Sequence, residues 1–234
     1  MKKNLILLMF LFCFFLGYCQ KQYFFDYKIV YNLQVKDSSQ STEVFYYTNS
    51  KDNSYRLRVA EKDSLHFHVR FLDQNGTVSE IIFTKEEFLN AKQIVLDCEI
   101  VHSYNNPYKY QTKNYDFSFK KEKEESFYIL KSNKPKREKK KKLGTFYYYV
   151  KSNTEFHLPL LEHATAYEEW KLEKNIPNGI PEKMYYLEYG KSQASDFHKL
   201  KDIIKIDKML EVPKDCDYTD PNTPRKYRME INVY

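Results

Sequence analysis

The sequence predicts a mainly β fold: an antiparallel curved sheet or half-open barrel with one or two short helices. Between residues 23 and 84, apolar and polar side chains alternate in short runs, the pattern of half-buried strands. Each run ends in a polar turn, and Asn75-Gly76 is the strongest hairpin signal because a type I′ turn needs positive φ at both central residues. The 22 tyrosines and 17 phenylalanines suit the pleated surface of a sheet. The alternating apolar residues are Tyr27, Ile29, Tyr31, Leu33 and Val35, then Tyr55, Leu57 and Val59, then Leu65, Phe67, Val69 and Phe71.

The first helix is predicted just after this meander. Thr84 and Glu87 match a capping box, which opens a short helix over residues 85–92 with Phe88 and Leu89 facing the core. The apolar run over residues 94–101 then predicts a strand, and alternating aromatic residues predict another over residues 115–119.

A second helix is predicted in the C-terminal half. Thr165 and Glu168 match another capping box, and a helix over residues 166–174 would bury Tyr167 and Trp170 at i, i+3 spacing. Strands are expected over residues 183–189 and 200–206, and alternation from Tyr227 to the end of the chain predicts a final strand.

Two strand-like runs, residues 127–130 and 145–150, flank a basic segment between Lys134 and Lys142. That segment holds seven basic residues and Glu138, so it accounts for the formal net charge of +6. We expect residues 132–143 to form the solvated loop of a hairpin, where an anionic envelope surface is one partner that the charge would suit. A nucleic-acid binder usually distributes Lys and Arg over a face or along a helix, so no nucleic acid is expected as a partner.

The N-terminus has the pattern of a secretory signal peptide over residues 1–19. Lys2 and Lys3 precede an apolar run, residues 5–16, that is shorter than the roughly 20 residues needed to span a bilayer. Cleavage is expected between Cys19 and Gln20, which leaves one β-rich domain over residues 20–234 and makes the protein exported, either periplasmic or secreted.

A lipid anchor on Cys19 is the alternative. Leu16 lies three residues before Cys19, as in a bacterial lipobox. Tyr18 departs from that pattern, because a small residue is expected directly before the cysteine.

The sequence offers no motif for catalysis, cofactor binding or metal binding. Its five glycines are far apart, which excludes the clustered glycines of phosphate-binding loops. His66 and His68 share one strand face, but Arg70 shares it too and opposes a bound cation. We therefore assign no catalytic, cofactor-binding or metal-binding residue.

The cysteines predict one disulfide. After removal of the signal peptide only Cys98 and Cys216 remain, and an exported protein with two cysteines is a candidate for one bond between them. Two independent free thiols are the alternative.

The layout of the chain resembles the periplasmic lipoprotein-carrier (LolA-type) superfamily. The resemblance rests on the signal peptide, the aromatic meander, the early short helix and the late Ile180-Pro181 stretch followed by two strands. It implies an unclosed curved sheet, covered by short helices, that shelters acyl chains. It transfers no functional residue to this chain.

Three functions remain open at this point. The first, which we favour, is a non-enzymatic envelope protein that binds an apolar or amphipathic ligand such as a lipid within the curved sheet. The second is a cell-surface interaction or structural module without such a ligand, which uses exposed tyrosines and the basic loop. The third is a hydrolase whose site is dispersed in sequence. A contiguous apolar cavity under the sheet would favour the first, and a filled interior the second.

Overall fold

All twelve described strands belong to a single sheet. The computed structural model describes residues 21–35, 41–98, 101–103, 115–122, 125–132, 144–173, 176–188, 194, 196–213 and 216. Among these residues, no helix is both long enough and apolar enough to cross a membrane. The strands are β1 (Lys21–Val35), β2 (Ser41–Asn49), β3 (Asp52–Glu61), β4 (His66–Asp73), β5 (Thr77–Thr84), β6 (Gln93–Val95), β7 (Val101–Ser103), β8 (Tyr115–Glu122), β9 (Glu125–Ser132), β10 (Gly144–Val150), β11 (Pro181–Glu188) and β12 (Asp196–Val212). The helices are α1 (Lys85–Asn90) and α2 (Ala164–Glu173).

Two antiparallel meanders lie side by side in this sheet. Strands β1 to β5 are neighbours in chain order with β7 at their outer edge, and β8 to β12 repeat the arrangement in the C-terminal half. The halves join where β12 pairs along β1, from Lys21 opposite Val212 to Val35 opposite Asp196. Within the described residues the edge strands β7 and β8 do not pair with each other, so the sheet is not closed. The predicted fold class is therefore confirmed.

A bulge in β1 divides the core between the two faces of the sheet. The register against β12 shifts between Phe25 and Tyr27. Tyr23 and Phe25 consequently pack in one core cluster, whereas Ile29 and Tyr31 pack in another. We call the face that carries Phe25 the first face and the face that carries Ile29 the second face.

The first core cluster lies between the first face of β1 to β5 and the cover formed by α1 and residues 91–98. Phe88 is the buried residue of α1, and its ring centroid lies 5.4 Å from that of Tyr47 and 5.8 Å from that of Phe67. The buried Lys208 donates to the carbonyl oxygens of Phe88, at 2.7 Å, and Ala91. These bonds satisfy carbonyl groups at the C-terminal end of α1.

The disulfide between Cys98 and Cys216 closes the edge of this cluster. The two Cα atoms are 4.5 Å apart although the residues are 118 positions apart in sequence, so the predicted bond is confirmed. Cys98 lies in a turn, and the single strand predicted over residues 94–101 is wrong. The chain there forms two short strands, because β6 pairs with β12 and β7 pairs with β5.

The second core cluster lies beneath α2 and residues 151–163, which cover the second face. Tyr167 and Trp170 are buried there, as predicted. The second capping box is wrong, however, because α2 begins at Ala164 and places Thr165 inside the helix. The ring of His163 takes the capping role, since its Nδ1 accepts from the backbone N–H of Thr165 at 3.2 Å.

The hairpin between β4 and β5 differs from its prediction in turn type. Asp73 pairs with Thr77, so three residues form the loop, and Gly76 alone among them has positive φ, at 121°. The Asp73 carboxylate accepts from the backbone N–H of Asn75 at 2.8 Å, which holds Asn75 out of the type I′ conformation.

The other strand predictions are mostly confirmed. The first capping box is present, and the hairpin predicted over residues 127–150 exists as β9 paired with β10. Leu65 and Leu89 were expected to be buried but are 69% and 54% exposed. The basic loop at 134–142, the final strand and the signal peptide lie outside the described residues.

Candidate functional site

Aromatic side chains form a continuous surface on the first face of the C-terminal half of the sheet. Met184 packs in the second core cluster, so its neighbour Tyr185 points to the first face. The register places Tyr185 opposite Tyr147 on one side and Phe197 on the other. We call this surface the aromatic face, and it comprises Phe127, Tyr147, Tyr149, Tyr185 and Phe197.

The rings of the aromatic face stack on one another across four strands. The centroid of Tyr185 lies 4.8 Å from that of Tyr147, 6.1 Å from that of Tyr149 and 6.0 Å from that of Phe197, with interplanar angles of 18°, 21° and 25°. Phe127 stacks on Tyr149 at 5.0 Å. The rings therefore shield one another's faces and direct edges and hydroxyl groups outward. The hydroxyl oxygens of Tyr149 and Tyr185 are 3.4 Å apart.

Neither helix covers this face. Helix α1 packs against the first face of the N-terminal half, and α2 packs against the second face. Tyr147, Tyr149, Tyr185 and Phe197 remain partly exposed. Burial among the neighbouring rings raises the pKa of Tyr185, and the nearby Tyr149 hydroxyl adds to that shift, so the Tyr185 phenol stays protonated at neutral pH.

Lysines border the aromatic rings. The strand register aligns one residue from each of β8 to β12 in a row across the sheet. In that order the residues are Lys120, Phe127, Tyr149, Lys183 and Lys199. The Nζ atom of Lys183 lies 5.9 Å from the centroid of the Tyr149 ring. In this row two adjacent aromatic rings lie between Lys120 on one side and Lys183 and Lys199 on the other.

A second group of polar residues is buried beneath residues 151–163. The Tyr46 hydroxyl donates to the Glu162 carboxylate in a short contact. Arg56 donates through Nη1 to the Leu161 carbonyl oxygen at 3.0 Å and through Nη2 to that of Glu162 at 2.6 Å. These charge-assisted bonds attach the covering segment to β2 and β3.

The electrostatics of this buried group favour a structural role. Burial opposes ionisation of Glu162, but His198, the Tyr46 hydroxyl and Arg56 together hold its pKa below the usual value. Burial and the adjacent carboxylate raise the pKa of Tyr46 well above its usual value. Burial lowers the pKa of His163 to about 4. Neither Tyr46, Glu162 nor His163 is thus poised to exchange a proton near neutral pH.

The cavity described under this segment is small. A cavity lined in part by Thr48, Arg56 and His157 has a volume of about 10 Å³, room for about one water molecule. His157 is buried and its Nε2 lies 2.8 Å from the Thr48 hydroxyl oxygen. A cavity of this size does not hold an acyl chain.

The two histidines of β4 lie on the same face of the strand, as the alternation predicted. His66 and His68 are partly exposed, with His66 Nδ1 2.9 Å from the Asp63 carboxylate and His68 Nε2 3.7 Å from that of Glu80. Over the described part of the chain, no three His, Cys, Asp or Glu residues are grouped so as to hold a metal ion.

Sequence reasoning did not identify the aromatic face. The available signal was the run Tyr147-Tyr148-Tyr149, because consecutive aromatic residues on a strand must point to both faces of the sheet. Tyr148 is buried in the second cluster, and its neighbours belong to the aromatic face.

Comparison with protein-family models gives no match to this chain, and comparison with curated proteins finds no similar sequence. The function is therefore inferred from the geometry of the site.

Proposed function

We propose that the protein is an exported, non-enzymatic binding module that attaches to a component of the cell envelope through its aromatic face. The observation that carries this proposal is a set of four stacked, partly exposed rings on a part of the sheet that neither helix covers; they are Tyr147, Tyr149, Tyr185 and Phe197. Tyrosine is favoured at binding surfaces because it offers a large contact area and a hydroxyl group at a small cost in entropy.

The small size of the cavity beneath residues 151–163 favours a surface site over an enclosed one there. In the described residues both core clusters are packed with side chains, and the cavity beneath residues 151–163 has room for about one water molecule. Binding of an acyl chain within the sheet, which the LolA-type resemblance implies, stays a prediction. Native mass spectrometry followed by organic extraction tests it, since a bound lipid would appear as added mass.

One observation supports export, because the Cys98–Cys216 disulfide suits an oxidising compartment. The intact mass of the protein from its host envelope tests this part: we expect a chain that starts at Gln20 without lipid, and a diacylglycerol group on Cys19 would contradict it.

Sedimentation with washed envelope from the host tests the binding surface. The double variant Tyr147→Ser, Tyr185→Ser should lose most of the sedimenting fraction. The matched control is Phe156→Ser, which changes an aromatic residue that is 52% exposed but lies outside the aromatic face. A double variant that keeps its fold by circular dichroism and still sediments like the wild type would refute the proposal.

A further inference from the structure

We infer that strand β8 is a pairing edge, to which the β8 strand of a second copy of this chain adds in the antiparallel direction. In the described part of the chain, β8 is the last strand on one side of the sheet and pairs with β9 alone. The inference stands on β8 and does not depend on which component the aromatic face binds.

The two edges of the described sheet differ in how open they are to a further strand. Strand β7 has three residues. Strand β8 has eight, and it pairs with β9 from Tyr115 opposite Ser132 to Glu122 opposite Glu125 without a register shift. Natural sheets commonly protect an edge by making it very short, or with a proline or a bulge. Strand β8 has none of these three features, so over the described residues its outer backbone N–H and C=O groups are available for pairing.

The charges of β8 specify the partner. Asp116, Ser118 and Lys120 are exposed and share the face of the strand that continues the aromatic face, because Lys120 pairs with Phe127. When Ser118 lies opposite Ser118 of a second copy, Asp116 lies opposite Lys120 of that copy. The two-fold axis repeats this pair on the other side of Ser118. Exposed charges that oppose a strand of another sequence are therefore matched in the pair of identical strands.

Other two-fold registers do not match these charges. A register centred on Asp116 or on Lys120 places that residue opposite its own copy. A register centred on Phe119 places Asp116 opposite Glu122. Like charges directly opposite each other across strands are destabilising, so the charge pattern selects the register centred on Ser118.

Pairing through β8 leaves the aromatic face uncovered. Residues 115–121 of the two copies overlap in this register, which gives about six to eight backbone hydrogen bonds between them. Residues that lie opposite each other in the pair share a face of the sheet, so the aromatic faces of the two copies lie on the same side of one continuous sheet. The dimer therefore presents twice the surface to which the proposed function assigns envelope attachment.

Sedimentation velocity of the protein purified from the host envelope measures the pairing. We expect a monomer–dimer equilibrium with a Kd that rises as salt is added, because the Asp116–Lys120 pairs are exposed. Lys120→Asp should raise the Kd about tenfold, because it replaces both opposite-charge pairs by pairs of carboxylates. The matched control Lys51→Asp makes the same charge change at an exposed position outside β8 and should leave the Kd unchanged.

A mixture of two variants tests the self-complementary register. Asp116→Lys alone should also raise the Kd. Mixed with Lys120→Asp, it should form a heterodimer of about wild-type affinity, because each facing pair then joins one acid and one base. Because Asp116 also pairs with Lys131 within the chain, circular dichroism and the fluorescence of Trp170 are used to verify that each variant is folded.

Cysteine cross-linking tests the centre of the pair. Oxidised Ser118→Cys should form a covalent dimer, because directly opposite Cα atoms in an antiparallel pair are about 4.5–5.5 Å apart, a separation that a disulfide can bridge. Lys120→Cys should not, because its counterpart lies four positions along the partner strand, about 14 Å away.

Four outcomes would overturn the inference: a monomeric wild type at every concentration, an unchanged Kd for Lys120→Asp, no heterodimer from the two folded charge variants, or equal cross-linking at positions 118 and 120. Envelope sedimentation that depends on Tyr147 and Tyr185 is a separate readout, so failure of the dimer and failure of the proposed function are distinguishable.

Discussion

Reduction of the Cys98–Cys216 bond is expected to lower the free energy of unfolding by about 5 kcal/mol. In the chain-entropy model a cross-link stabilises the fold by restricting the unfolded chain, and the effect grows with the loop that it closes. The bond joins residues 118 positions apart, and the model gives about 5 kcal/mol at 25 °C for such a loop. Because a domain is typically stable by about 5–15 kcal/mol, the reduced protein should be close to marginal.

The native contacts around the bond should survive reduction. Cys216 is fully buried and its backbone N–H donates to the Pro213 carbonyl oxygen at 2.9 Å. The Leu96 N–H donates to the Glu211 carbonyl oxygen at the same distance. The loss should therefore arise in the unfolded state, whose greater expansion should also increase the denaturant m-value.

Guanidinium unfolding with and without reductant measures this effect. Trp170 is the single tryptophan and lies in the second core cluster, so its fluorescence reports on the face opposite the bond. The double variant Cys98→Ala, Cys216→Ala is the control and should be insensitive to reductant. Equal free energies and m-values for the oxidised and reduced proteins would refute the reasoning.

Three further predictions concern the covering elements. Arg56→Met should lower the free energy of unfolding by about 3–5 kcal/mol, because it leaves two buried carbonyl groups without their charged donor. The control Lys51→Met, at an exposed position, should change the urea midpoint very little. Lys208→Met should lower the free energy of unfolding by about 2 kcal/mol and raise the hydrogen-exchange rates of the α1 backbone amides. Unchanged exchange rates in α1 would contradict the capping role of Lys208. The free energy of unfolding should fall by up to about 3 kcal/mol as the pH drops from about 6.5 to about 4, because the unfolded chain binds a proton at His163 that the folded protein excludes. The variant His163→Asn should flatten this pH profile. An unchanged slope in that variant would contradict the assignment to His163.

The alternation of side chains was sufficient to predict most strands, because it reflects a local property of the chain. It did not predict where the apolar sets would pack. The bulge between Phe25 and Tyr27 depends on pairing with β12, which lies far away in sequence. The register of β1 on β2 and of β2 on β3 places the alternating sets of β1 and β3 on different faces, a result that no local pattern contains.

Errors near the turns have a similar origin. Leu65 continues the alternation, but the Asp63 carboxylate accepts from its backbone N–H at 2.8 Å and holds it in the turn before β4. The Asp73 turn is fixed by distant groups, since Lys21 and Tyr23 donate to the Asp73 carboxylate at 2.7 and 2.8 Å. Arguments from residue propensity and sequence motifs do not predict such long-range contacts.

The sequence did not predict the aromatic face for the same reason. The abundance of tyrosine and the strand over residues 145–150 could both be recognised from the sequence. The stacking of Tyr147 on Tyr185, and of Tyr185 on Phe197, depends on the register among β10, β11 and β12. A site made of one or two residues from each of four strands has no linear motif.

Hydroxyl-radical footprinting by mass spectrometry tests the central claim most directly. Protein bound to washed host envelope is compared with free protein, and oxidation is measured at each aromatic residue. We predict protection of Tyr147, Tyr149 and Tyr185, with unchanged oxidation of Phe24 and Phe156, which are each 52% exposed elsewhere on the molecule. Protection of Phe24 or Phe156 with unchanged oxidation of the three tyrosines would contradict the account.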